Sequence, residues 1–366
     1  MKKLLFYSDS SSFGGAETYL ADLVNAFTKK GFNVSLIAIP SFFSKFKINN
    51  SITAYKMMLS KSVFDLVQLL RMRKILNELQ PDILHINFGT VYSAIPLLLL
   101  NFPKRCKVIA SVHSYRLPDS KYPLIAFFRK MLVRYILSKI ERFILTSEYS
   151  KNEFCRLYGI TEDKVNVIYN GLADEEEVVE DNEIMRKYQI KSDEKIVGLV
   201  SRLVNFKGLE CFIEAIDILE KKGNHAKYLI VGDGYLRDKL QRKSASVSKN
   251  IIFVGHIENT GKFIKHFDVG VFCSESENFP YVILEYMRAA IPIVSTNVGG
   301  IPEMVRHMEE ALLVPKKMPN MIADSIRKIL NNNKLARDLS AQARQRYEAN
   351  FKDHVMISKT IEVINQ

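Results

Sequence analysis

The sequence is poor in cysteine. Its four, Cys106, Cys155, Cys211 and Cys273, lie scattered in apolar or helical context, and none forms a C-x-x-C pair. That excludes a disulfide framework and points to a reducing, cytoplasmic setting. Cysteine and histidine are too dispersed for a zinc site. No D-x-D pair stands at a strand end to hold a divalent ion. Long apolar runs are missing as well. The longest, Ala94–Leu100, is far short of the ~20 residues that a membrane span needs. MKKLLFYSDSSSFGG reads as a first strand rather than a signal peptide, because no small-residue cleavage site follows it. No tandem repeat of solenoid period is visible.

Acid is scarce in the first half. Residues 1–170 carry 24 Lys+Arg against 12 Asp+Glu, whereas residues 171–366 carry 28 of each. The whole net charge of +12 therefore sits on the first half. Such a half suits an anionic partner: a membrane surface, a lipid-linked pyrophosphate, an acidic polysaccharide or nucleic acid. Solubility is the plainer reading. No nucleic-acid motif accompanies the charge, so only weak, salt-sensitive, sequence-blind binding would follow from it.

What is present is a βα pattern that runs twice. Strands are expected at Lys3–Ser8, Phe32–Ile39, Asp82–Asn87, Lys107–His113, Arg142–Ser147 and Lys164–Gly171. After the acidic stretch Asp174–Asp181, read as a linker, the pattern restarts with strands near 195–202, 227–234, 250–256, 269–273, 291–295 and 311–314. These are short apolar runs with little alternation, as in parallel strands covered on both faces. Residues 41–80 read as helical and basic, and residues 122–143 as a basic amphipathic helix. The latter suits either a membrane surface or a crossover helix with its charge on the wet side. Three more helices are expected over 320–330, 334–347 and 353–365.

The most informative stretch is Ser274–Glu303, SESENFPYVILEYMRAAIPIVSTNVGGIPE. A buried strand ends at a polar cluster, and Pro280 sets the first turn of a helix, where its missing N–H costs nothing. Glu277 lies in the loop and Glu285 about a turn inside the helix. Two carboxylates thus stand near a helix N-terminus at the carboxyl end of a strand, where α/β sheets bind ligands and free N–H groups suit phosphate. Arg202 and Lys207, in S-R-L-x-x-x-K-G, stand at another strand–helix junction, where two cations can clamp a pyrophosphate.

These segments resemble retaining glycosyltransferases of the family 4 type, the group 1 glycosyl transferases. E-N-F-P-x-x-x-x-E followed by P-I-V-S-T-x-V-G-G-x-x-E resembles the family's donor-binding segment. R-x-x-x-x-K-G, V-G-D-G-Y-L-R and the amino-terminal G-G-A-E match other family motifs. The resemblance implies a GT-B fold, two Rossmann-like doubly wound α/β domains facing across a cleft. It implies an acceptor-side domain over 1–173, a nucleotide-sugar domain over 174–350, and a terminal helix over 351–366 that crosses back to the first. Glu277 would touch the transferred sugar and Glu285 the ribose hydroxyls. Arg202 and Lys207 would hold the diphosphate. His113, at a strand end, would lie near the reacting carbon. Gly14, Gly15, Gly255, His256, Asn278, Phe279 and Pro280 would complete the donor site. The family usually has Gly where Pro280 and Ser201 stand, and Pro where Tyr235 stands.

The implied reaction moves a sugar from a UDP- or GDP-linked donor to a glycan or polyprenyl-linked acceptor, with no cofactor and no metal. The expected place is the cytoplasm, with contact to an anionic membrane face through the basic half. A nucleotide-sugar epimerase of the same fold and a non-catalytic subunit are the alternatives. Product analysis separates the epimerase, which needs no acceptor.

Overall fold

A computed structural model describes residues 2–8, 10, 14–57, 66–88, 105–115, 123–174, 183–257 and 260–366. The chain forms two compact units: 1–171 with 353–366, and 172–352. The terminal helix Asp353–Asn365 thus belongs to the first unit, where Lys2 Nζ donates to Asn365 Oδ1 at 3.0 Å.

Among the described residues the first unit has a seven-stranded sheet. Its strands are β1 (Lys3–Tyr7), β2 (Asn33–Ala38), β3 (Thr53–Lys56), β4 (Ile83–Phe88), β5 (Lys107–Val112), β6 (Arg142–Leu145) and β7 (Val165–Val167). All neighbours pair in parallel, in the order β3-β2-β1-β4-β5-β6-β7. The second unit has six parallel strands: β8 (Ile196–Val200), β9 (Lys227–Val231), β10 (Ile251–Gly255), β11 (Val269–Phe272), β12 (Ile293–Thr296) and β13 (Ala311–Val314). Their order is β10-β9-β8-β11-β12-β13. Both sheets are doubly wound, with the strand order reversing beside β1 and β4 in one and β8 and β11 in the other. At such a reversal the loops after adjacent strands diverge and leave a crevice for a ligand.

Burial explains the composition of the strands. In β8 and β11 every residue is buried, so an apolar run without alternation is what the two covered faces require; β4 is buried throughout as well, but carries the hydrogen-bonded His85 and Asn87.

Two expectations need correction. Residues 41–80 are not helical throughout. They hold a short helix Pro40–Lys45, then β3, then a helix Leu66–Leu79. The edge strand β3 is mostly exposed and reads TAYK, so no periodic apolar signal marked it; main-chain pairing to β2 holds it in place. The helix expected over 122–143 spans Pro123–Ser138, and β6 begins at Arg142. Of the expected linker 174–181, only Asp174 is among the described residues. Its carboxylate is held by Lys352 Nζ at 2.7 Å.

Candidate active site

In the second unit, the crevice-forming strands β8 and β11 carry the two motifs singled out above. After β8 the chain loops through Ser201–Gly208 into the helix Leu209–Lys221. The loop is set by its backbone: Leu203 N donates to Asp233 O, and Leu236 N to Leu203 O. Gly208 has φ +67°, and a Cβ there would fall 1.9 Å from the Cys273 carbonyl oxygen. Only glycine lets this turn close against the end of β11. Glu275 N donates to Phe206 O at 2.8 Å, tying the loop after β11 to the loop after β8.

These ties bring Lys207 to Glu277 across 70 positions of sequence. Lys207 Nζ lies 2.5 Å from Glu277 Oε1, and both side chains are largely buried. The same oxygen accepts from Ser274 Oγ at 2.6 Å. Ser274 is buried, and its carbonyl accepts from Thr296 Oγ1 on β12 at 2.6 Å. Gly299 closes the other side, with φ +58° and a virtual Cβ 1.7 Å from Glu277 O. Gly300 N donates to that same carbonyl at 3.2 Å. The V-G-G turn after β12 therefore packs directly on the backbone of Glu277 and is more than a plain turn.

Glu285 sits on the helix Tyr281–Arg288. Its Oε2 accepts from Thr260 Oγ1 at 3.0 Å. Tyr286, fully buried, accepts from Val200 N at 3.2 Å and anchors this helix to β8. Pro280 is the residue before the helix rather than its first residue, with an extended ψ of 128°. The helix starts one residue later than expected, and the Pro280 carbonyl accepts from Ile283 N. The Phe279 ring is buried edge-on against Phe351, so it belongs to the core and only its backbone can face a donor. Asn278 is half-buried. Gly255 ends β10 with φ +89°, and exposed His256 follows it. Arg202 is exposed, and among the described residues its guanidinium takes no partner. Lys207 and Glu277 thus meet directly, whereas Arg202 points to solvent and Glu285 is held by a separate contact.

The first unit has its own polar cluster at β1, β4 and β5. Gly14 and Gly15 open the helix Gly15–Lys29, and both are exposed. Glu17 caps that helix: its Oε2 accepts from Gly14 N at 2.7 Å. The Glu of G-G-A-E therefore serves the backbone. His113 follows β5, half-buried, with Nε2 2.9 Å from Asn87 Oδ1 on β4. The Asn87 amide donates Nδ2 to Ala16 O at 3.0 Å, which turns its oxygen toward the histidine. His113 must then carry its proton on Nε2 to donate to Asn87. Burial pushes the His113 pKa down to about 4, so the ring is neutral at pH 7. Below it, His85 Nε2 lies 2.8 Å from Ser111 Oγ, which also meets Tyr19 OH at 2.9 Å.

Asn87, Ser274, Thr260 and Tyr286 escape sequence reading. Each is a common residue type, and its role comes only from the partner it meets. Among the described residues no group of three or more His, Cys, Asp and Glu side chains is placed to hold a metal. The candidate cations for a diphosphate are Arg202 and Lys207.

The chain is similar to known proteins along nearly its whole length. Residues 13–176 match the family model Glycosyltransferase Family 4, and residues 180–346 match Glycosyl transferases group 1. An uncharacterized glycosyltransferase of Methanocaldococcus jannaschii is 34% identical over 199 residues, covering 52% of this chain and 50% of that one. The capsular polysaccharide biosynthesis glycosyltransferase CapM of Staphylococcus aureus is 26% identical over 240 residues, covering 62% and 63%. The matches thus span about half and just under two thirds of these two relatives. Among solved structures, Anabaena HepE in complex with UDP and glucose superposes with a TM-score of 0.81 at 19% identity, covering 100% of each chain. At that identity the likeness shows the fold, which is GT-B.

Proposed function

The chain belongs to the group 1 glycosyltransferases of Family 4, and from that membership we propose that it moves a hexose from a UDP- or GDP-linked donor to a glycan or polyprenyl-linked acceptor, with retention at the anomeric carbon. Relatives in the family act in cell-surface polysaccharide biosynthesis, and CapM is named for it. The HepE structure contains UDP and glucose, which favours UDP as the nucleotide. A polyprenyl-linked acceptor would bring the reaction to the cytoplasmic face of a membrane.

One observation carries this reading: Lys207 and Glu277 meet at the carboxyl ends of β8 and β11. An ammonium has three N–H donors, so Lys207 can keep Glu277 and still donate to a phosphate oxygen. In the transfer, the bond between the anomeric carbon and the diphosphate oxygen breaks. Negative charge builds on that oxygen, and Lys207 and Arg202 stabilise it. Glu277, held by Lys207 and Ser274, accepts hydrogen bonds from sugar hydroxyls and fixes the ring. Glu285, oriented by Thr260, accepts from the ribose. The leaving oxygen takes the acceptor's proton as the acceptor attacks from the same face. His113, neutral and held by Asn87, serves the sugar.

The test is Glu277→Gln, assayed for nucleotide binding and for transfer. Transfer should fall by about 10³-fold, some 4 kcal/mol of transition-state stabilisation, with nucleotide affinity held within a few-fold. Affinity falling in parallel with transfer would remove Glu277 from the sugar. A panel of nucleotide sugars, run with and without chelator, identifies the donor and tests the role given to the two cations. Full activity in chelator is expected.

A further inference from the structure

We propose that the helix Pro123–Ser138 docks the protein onto an anionic lipid bilayer, inserting a stripe of exposed apolar side chains that no described residue covers. The stripe is Leu124, Phe127, Phe128, Met131, Leu132 and Tyr135, each between 45% and 70% exposed. Their spacing of three and four residues places them on one face of the helix. The opposite face is also apolar: Val133, Ile136 and Leu137 are buried in the core of the first unit. At 100° per residue the two faces are centred roughly half a turn apart. One face holds the helix to the domain, and among the described residues nothing covers the other. Six large apolar side chains presented together to water are far more than the single exposed residues normal on a soluble surface.

Charge selects the occupant. The helix has no Asp or Glu, and at 100° per residue Arg134 falls at the edge of the apolar stripe, while Arg129 and Lys130 lie toward the opposite face. Lys139 follows, with its ammonium 5.1 Å from the Tyr135 ring centroid. Apolar residues that enter the acyl boundary, with Arg134 and Lys139 at their border to reach back to headgroups, suit a bilayer with anionic lipid. The +12 excess of residues 1–170 adds long-range attraction to the same kind of surface. A protein partner would need acidic groups around an apolar groove, and nothing in this chain's own surface argues for one. No helix among the described residues is long and apolar enough to cross a membrane, so the contact lies in the interface. This surface goes beyond the reaction proposed above and stands without it.

The experiment is vesicle co-sedimentation of the full chain without donor or acceptor, using phosphatidylcholine with and without phosphatidylglycerol. The wild type should bind the anionic vesicles, and high salt should weaken but not abolish binding. The double variant Phe127→Asp/Met131→Asp should lose about ten-fold or more in partitioning. Both sites are exposed, so its melting temperature and donor hydrolysis should match the wild type. The protein has no tryptophan, so Phe128→Trp supplies a single probe. Its emission should shift to the blue on vesicles and be quenched by brominated acyl chains. Absence of wild-type binding, unchanged binding by the double variant, or an unquenched probe overturns the proposal. So does a wild type that dimerises through this face and a double variant that is monomeric, with neither binding vesicles. Because donor hydrolysis is measured separately, a failure here leaves the transferase reading standing, and a failure of that reading leaves this one.

Discussion

The two sheets reverse their strand order in the same way, yet they furnish the crevice ends differently. In the second unit the group brought to the reversal is an ion pair, Lys207 with Glu277, clamped by backbone contacts from three loops. In the first unit it is a neutral imidazole, His113, hydrogen-bonded to the Asn87 amide. The difference follows from what surrounds each group. Glu277 has a cation and a buried hydroxyl on the same oxygen. His85 and His113 have burial as the main influence on their rings. Burial favours the uncharged form of histidine. One fold therefore offers fixed charge in one half and a neutral imidazole in the other.

The contrast breaks most sharply at Lys207. Lys207→Met should cut transfer by about 10²–10³-fold, roughly 3–4 kcal/mol, mostly as lost donor affinity; steady-state kinetics with varied donor would show it. Unchanged kinetics would mean the ion pair is only structural. Gly299→Ala tests the clamp rather than the charge. The alanine Cβ would collide with the Glu277 carbonyl at a positive φ, so a loss of about 2–3 kcal/mol in stability is expected by denaturant titration, along with reduced transfer.

In the first unit, Asn87→Leu removes the amide that sets the His113 tautomer. Stability should fall by about 1–2 kcal/mol, and turnover should fall more than donor affinity does. Equal loss of both would make Asn87 merely structural. The smallest effect concerns pH. Burial drives His85 to about 3 and His113 to about 4. Between those values and the ordinary 6.5, the unfolded chain binds more protons than the native one. Stability from these two groups therefore falls as pH drops through that window. Asp22 acts oppositely. Burial, then the nearby Asp353, raises its carboxyl to about 7, so its native form holds a proton that the unfolded chain releases above 3.8. Its contribution falls as pH rises. Asp22→Asn should raise the melting temperature by a few degrees at pH 8 and steepen the loss of stability below pH 6.5. An unchanged pH profile would mean that these groups titrate normally.

The βα order and all the second unit's strands were legible from short apolar runs, since a strand covered on both faces must be apolar throughout. The edge strand β3 was not, because its exposed residues bear no pattern and its partner is a main chain. The site motifs were legible as strings, and their glycines have clear local reasons. Which groups touch was not: sequence spacing paired Arg202 with Lys207, whereas the fold pairs Lys207 with Glu277.

From the residues alone came the repeated βα pattern and the strand–loop–helix junctions that carry Arg202, Lys207, Glu277 and Glu285, while the doubly wound class and the family came from the resemblance of the motifs. Periodicity and local turn chemistry depend on near neighbours, so a linear reading reaches them. Only the tertiary structure decided that Gly299 buttresses Glu277, that Asn87 orients His113, and which apolar face of the Pro123–Ser138 helix is covered. Each depends on what a distant segment places alongside. A hydrophobic face looks the same in sequence whether a sheet or water lies against it.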